Sequence, residues 1–166
     1  MTVDYAAVAA SLSQAIPFNV HLGLETVTVA GDHGVVVLPD AGHLHNHVGS
    51  QHAGALFSAG EAASGAAFVG AFLEIMSEIT PLAESAQIAY RKLAKGEITA
   101  TGRLAEDQAS LRERLDAEGR VRFPIQVELT NAQGILVAEM TVHWYVRRND
   151  RAGGEDRAGG EASDSR

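Results

Sequence analysis

Apolar and polar positions alternate with two different periods along this chain, and the switches between them mark its elements. Val8, Leu12 and Ala15 share one face at helical spacing, so residues 3–15 read as a short helix that Pro17 stops. From Leu24 the period falls to two through Glu25–Val29. A turn at Gly31–Gly34 follows, then Val35–Leu38, which together predict a hairpin. Asn46–Leu73 is the stretch around which the rest is arranged. It is helical in composition and apolar almost all the way round, which predicts a helix buried on every side and ended at Thr80–Pro81. Beyond it, residues 86–93 and 97–104 flank Lys95–Gly96 and predict a second hairpin. Leu111 and Leu115, four apart in Gln108–Glu118, predict a short amphipathic helix closed by Gly119. Alternation over 121–130 and 135–147 around Asn131–Gly134 predicts a third hairpin.

Six strands with one long apolar helix predict an α+β domain over residues 1–148, an antiparallel sheet curled about that helix. Gly54, Gly60, Gly65 and Gly70 lie inside the predicted helix, where each costs about 1 kcal/mol against alanine. Such a cost is reasonable where strands or a partner helix come close. Residues 149–166 repeat DRAGGE in tandem and hold no large apolar side chain, so they predict a disordered tail.

Composition narrows the function. A formal net charge of −8 without a Lys/Arg run argues against nucleic acid as a bulk partner. With no cysteine there is no thiolate nucleophile and no Cys-ligated metal. The N-terminus has no basic region of the kind a signal peptide carries, and no 18-residue run reads as a membrane span, so a cytoplasmic protein is expected. Neither a G-x-G-x-x-G fingerprint nor a P-loop occurs, which disfavours dinucleotide and ATP chemistry and leaves no cofactor expected.

Between Asp40 and Glu74 the only formally charged residue is Glu61. A lone carboxylate in so apolar a segment is expensive to bury, so it is either partnered or used in chemistry. His52 precedes it by nine residues, which at about 100° and 1.5 Å per residue puts Glu61 on the opposite helix face and about 13 Å along. One copy cannot aim both at one reacting centre. Two helices side by side in a two-fold dimer could, so composite sites in a homodimer are expected.

Asn46-x5-His52-Ala53-Gly54-x6-Glu61, supported by Ile88–Leu104 and Gly134–Trp144, resembles the hotdog-fold acyl-CoA thioesterases, in particular the phenylacetate-pathway and hydroxybenzoyl-CoA-like branch. The likeness covers roughly Pro17 to Arg148. It implies the hotdog fold, an acyl-CoA or acyl-carrier thioester as substrate, and dimers often paired into tetramers. Glu61 would attack the thioester or act as general base, and the Ala53 amide would stabilise the oxyanion. Asn46 would position water or the carbonyl, and His52 would orient the thioester. Gly54, Ser64, Gly65, Arg91 and Lys92 would meet substrate, the two cations at the phosphates of CoA together with Lys95 and Arg103.

Two positions depart from the family pattern. Ala53 replaces the first glycine of His-Gly-Gly, and Gly65 stands where a Ser or Thr often follows the acid, with Ser64 beside it as a possible substitute. These departures motivate a rival reading as a non-catalytic acyl-CoA binding protein. Alternating His43, His45 and His47, with His52, suggest a metal cluster. Gly49 and Ser50 replace the glutamate that such a site needs, so no metal is expected. Ser58 lacks the first glycine of a nucleophile elbow and reads as a packed helix serine.

Overall fold

The computed structural model describes residues 3–149; the tandem repeat lies outside them. The order is α1 (Tyr5–Ala15), α2 (Pro17–Leu22), β1 (Glu25–Val29), β2 (His33–Leu38), α3 (Ala53–Phe72), β3 (Ile79–Tyr90), β4 (Ile98–Leu104), α4 (Gln108–Glu118), β5 (Arg120–Asn131) and β6 (Leu136–Arg148). All six strands form one antiparallel sheet in the order β1-β2-β4-β5-β6-β3, with α3 against it. This is the expected α+β arrangement.

Helix and sheet approach closely because each offers glycine to the other. A Cβ on Gly70 of α3 would sit 1.8 Å from the Ala30 carbonyl oxygen, and one on Gly102 of β4 would sit 2.6 Å from that of Ala63. Phe68 and Phe72 then stack on Trp144 and Phe123 to fill the core. The last turn of α3 is capped from α4. Gln108 and Arg112 both donate to the Ala71 carbonyl, one of the orphan acceptors that every helix end leaves. Within α4, Leu111 and Leu115 are fully buried and Gly119 ends the helix at φ +70°, as its sequence predicts.

Several expectations need correcting. Pro17 stops α1 but also opens α2, standing in the first turn where its missing N–H costs nothing. Pro81 does not end the central helix: α3 stops at Phe72, a 3-10 stretch runs to Glu78, and Pro81 lies within β3. A strand tolerates proline there because β3 is an edge, hydrogen-bonded only to β6. The predicted second hairpin is absent. β3 runs the length of β6, while β4 lies between β2 and β5, and residues 91–97 cross from one to the other. Gly96 does take a positive φ of +77°, so the turn signal was real, but its carbonyl receives Gln51 Nε2 rather than closing a hairpin.

Residues 53–78 are also long and apolar enough to cross a membrane by length and composition, contrary to the sequence expectation. They form instead the central helix, largely buried within the molecule. Nor is α3 buried on every side. Gly54 is exposed, and Phe57, Ser58, Glu61, Gly65 and Val69 are half-buried, all at three- or four-residue spacing. They make one stripe that the chain's own sheet leaves uncovered.

Candidate active site

The loop before α3 is built to hold its N-terminus still. Asn46 Oδ1 accepts from the Val48 and Ser50 amides at 3.0 and 3.1 Å, folding 46–50 into a tight turn. Buried Ser50 and Gln51 tie that turn to the crossover. Ser50 Oγ donates to the Ala94 carbonyl, and Gln51 Nε2 donates to the carbonyls of Pro39 and Gly96. Gln51 Oε1 is buried without a partner among the described residues. Neither Gln51 nor Tyr90, whose hydroxyl donates to the Ala53 carbonyl at 3.0 Å, is picked out by sequence reasoning. Gln51 stands next to His52 in the motif, which was a usable signal; nothing local marks Tyr90.

His52 is the N-cap of α3, and its Nδ1 accepts from the Gly54 amide at 2.9 Å. That bond requires the unprotonated Nδ1 and leaves the proton of the neutral ring on Nε2. It also occupies the Gly54 amide. The exposed Ala53 amide has no partner among the described residues and sits at the positive end of a 20-residue helix. The His52 amide donates to the Leu44 carbonyl, so of the three amides in His52-Ala53-Gly54 only that of Ala53 is free to bind an oxyanion.

Ala53→Pro tests this donor in isolation. Proline suits the first helical position, and His52 at φ −65°, ψ 141° already has the extended backbone that precedes proline. The variant should keep its melting temperature within a few degrees, and any turnover that uses this donor for an oxyanion should fall by about 10²–10³ in kcat, the usual cost of one such donor. Steady-state kinetics beside a thermal melt checks this.

Glu61 lies two turns further along on the uncovered stripe. It borders a cavity of about 240 Å³ lined by Leu12, Phe68, Val69, Met76, Trp144 and other mainly apolar side chains. Its carboxyl makes no hydrogen bond or ion pair among the described residues, and burial raises its pKa above the ordinary glutamate value. Relative to the unfolded chain, folding therefore shifts Glu61 toward its protonated form. Its contribution to stability is complete below the unfolded pKa and is lost as pH rises through the higher folded pKa. Glu61→Gln should accordingly melt higher than wild type at pH 7–8, with the gain shrinking at pH 4. Melts of both proteins across that range read it directly.

The remaining candidates divide. Gly65 faces the same cavity as Glu61, with nothing within 4 Å of where its Cβ would be. Ser64 does not stand in for the missing hydroxyl. It is fully buried, donates to the Glu61 carbonyl at 2.7 Å and accepts from Trp144 Nε1, on the core side of the helix. Ser58 donates to the Gly54 carbonyl at 2.8 Å, a local helix bond. Arg91 is paired with Glu139 at 2.7 Å, while Lys92 and Lys95 are exposed in the crossover and Arg103 is exposed on β4. His45 pairs with Asp40 at 2.7 Å, and the described residues contain no group of three or more side chains able to hold a metal. Ala53 and Glu61 are eight residues apart on one helix, about 12 Å along its axis. A single chain does not bring them to one atom.

Residues 4–146 match the model of a family described as Domain of unknown function (DUF4442). The chain belongs to that family. No curated protein matches the sequence significantly. Among solved structures it is similar to PA5026 of Pseudomonas aeruginosa, described as a protein of unknown function and probable thioesterase. Identity is 28%, coverage 90% of this chain and 99% of that one, and TM-score 0.80. It is also similar to the PaaI protein from the phenylacetic acid degradation operon of E. coli, at 18% identity, 84% and 90% coverage and TM-score 0.61. Thioesterase HI1161 from Haemophilus influenzae is similar at 15% identity, 89% and 93% coverage and TM-score 0.69. The DUF4442 chain therefore has the hotdog fold of thioesterase-like structures, and the last two likenesses speak to fold alone.

Proposed function

We propose that this DUF4442 protein is a cytoplasmic homodimeric thioesterase that hydrolyses an acyl-CoA or acyl-carrier thioester. The observation that carries the proposal is Glu61, the one carboxylate of α3, standing beside an apolar cavity on the stripe of that helix which the chain's own sheet leaves uncovered. The acyl group enters the cavity. The thioester carbonyl then lies between Glu61 of one subunit and the free Ala53 amide of the other, which takes the charge that develops on oxygen. Glu61 supplies the basic oxygen, either removing a proton from water or adding to the carbonyl carbon. On the first route the water oxygen bonds the carbonyl carbon, the C–S bond breaks and the proton held by Glu61 passes to the departing sulfur. On the second, the C–S bond breaks as an acyl-glutamyl anhydride forms, the thiolate takes a proton from water, and a further water hydrolyses the anhydride to free acid and Glu61. His52 and Asn46 hold the helix N-terminus in place, and Gly65 leaves room for substrate. Lys92, with Arg91 beside it, meets the phosphates of CoA.

Dimerisation is supported by β3, a 12-residue edge strand exposed on both faces over most of its length. Leu82 and Tyr90 are among its exposed apolar side chains. A second copy covering this edge and the α3 stripe would bring the two halves of each site together.

A second reading, non-catalytic acyl-CoA binding, is favoured by Glu61 having no donor beside it to hold it ionised. Release of free CoA from an acyl-CoA panel separates the two. Thioesterase activity at any chain length supports hydrolysis, whereas tight binding of the panel without release favours the binding protein.

A further inference from the structure

The cavity beside Glu61 has a polar wall that hydrolysis of a plain acyl chain does not use. Leu12, Ile16, Phe68, Val69, Met76 and Trp144 make it apolar, but Asn19 of α2 lines it as well. Asn19 is only 8% exposed. Its main-chain carbonyl accepts from the amides of Gly23 and Leu24 where α2 gives way to β1. Its side-chain amide has no hydrogen-bond partner among the described residues. Thr26, on the same wall, gives its main-chain N–H to Ser13 Oγ at 2.8 Å, while its hydroxyl is likewise unengaged.

The residue is buried but its carboxamide atoms are not sealed off, so they face space in which a ligand can reach them. Something that enters the cavity can complete their hydrogen bonds. At about 240 Å³ the cavity holds on the order of eight water-sized groups, enough for a short or medium acyl chain and little else.

We propose that Asn19 is a specificity-determining residue that hydrogen-bonds a hydroxyl or keto oxygen carried on the acyl chain, so that the preferred substrates are oxygen-bearing acyl thioesters. The inference rests on the thioesterase reading for the placing of the acyl group in this cavity. The carboxamide suits the task because it offers both donors and an acceptor, and so can meet a hydroxyl or a keto group alike. A site arranged to pair with a substrate oxygen discriminates strongly against the analogue that lacks it, because the protein's own polar group is then left buried and unpaired.

The test uses the full chain as wild type and Asn19→Leu. The probes are hexanoyl-CoA and octanoyl-CoA with their 3-hydroxy, 3-oxo and terminal-hydroxy counterparts. Three quantities are read: kcat/KM for each thioester, Kd for the corresponding non-hydrolysable thioether analogues, and melting temperature. Wild type should prefer at least one oxygen-bearing member over its plain counterpart by about tenfold or more. Asn19→Leu should bring that ratio close to one, keep or raise the value for the plain chain, and melt no lower than wild type. If Asn19→Leu does not fold, Asn19→Ala takes its place in the same comparison.

The proposal is overturned if wild type shows no preference in turnover or binding. It is equally overturned if the preference survives the substitution, or if the variant loses stability while keeping its selectivity. The thioether arm separates this result from the underlying reading. An Asn19-dependent preference in Kd without turnover of any thioester would leave this inference standing and remove the hydrolase. Turnover without preference would do the reverse, and a failure to bind or turn over any probe would remove both.

Discussion

Glu61→Gln is expected to reduce CoA release by about 10³-fold or more while the protein stays folded and keeps its oligomeric state. A positioned general base contributes about 10²–10⁴, and a nucleophile lost outright costs at least as much. Glutamine keeps the size of the side chain and loses only the basic oxygen. Because no protein group among those described bonds the carboxyl, its removal breaks no native contact. Loss of rate therefore cannot be attributed to misfolding, above all if the variant melts higher than wild type at neutral pH. Stability and activity should move in opposite directions at this one position, as at other functional residues held in unfavourable surroundings. In wild type, the acid limb of the pH–rate profile should lie above the ordinary glutamate range, since burial raises the pKa of the group that must be ionised. Equal rates for wild type and variant would remove Glu61 from the chemistry.

Gly70→Ala should be the most damaging small substitution in the helix. The added Cβ would lie 1.8 Å from the carbonyl oxygen of Ala30 and 2.7 Å from its carbon, both backbone atoms that cannot rotate away. Ala30 also donates its N–H to the His33 carbonyl in the β1–β2 turn, so displacing it disturbs the hairpin. Overpacking of this severity costs about 3 kcal/mol or more, well beyond the roughly 1 kcal/mol that alanine returns in helix propensity. At about 2–4 °C per kcal/mol for a chain of this size, the melting temperature should fall by roughly 10 °C. Gly65→Ala is the internal control. Nothing lies within 4 Å of its Cβ position, so its stability should be unchanged or slightly higher. Thermal melts of the pair compare a glycine needed for packing with one left open beside the cavity.

The elements legible in the sequence were those whose signal is local. The β1–β2 and β5–β6 hairpins, α4 with Leu111 and Leu115 inward, and the long helix with its single acid all follow from periodicity and turn residues a few positions apart. What failed was long-range. Lys95–Gly96 carries the mark of a turn and does turn, yet nothing nearby says that the strand before it will pair with β6, some fifty residues on. The uncovered stripe of α3 was hidden for a different reason. Gly54, Ser58 and Gly65 are small and of weak polarity, so the helix looks apolar from every direction in sequence and its exposed side carries no charge but Glu61. Ser64 was misplaced because one residue is about 100° of helix, enough to turn a neighbour of the cavity into a partner of Trp144. His52, Ala53 and Glu61 stand out in the sequence because the motif holds its residues at fixed spacing. Asn19 does not, since a lone asparagine two residues after a proline reads as loop.

The central claim is that each site joins Glu61 of one subunit to the Ala53 amide of another. It is tested most directly by co-expressing differently tagged Glu61→Gln and Ala53→Pro chains, isolating the mixed oligomer and measuring CoA release. Each parent oligomer should be nearly inactive. The mixed species should recover a substantial part of the wild-type rate, because one of its two sites then has both halves intact. A mixed oligomer as inactive as its parents, or a wild-type protein that is active as a monomer, would contradict the account.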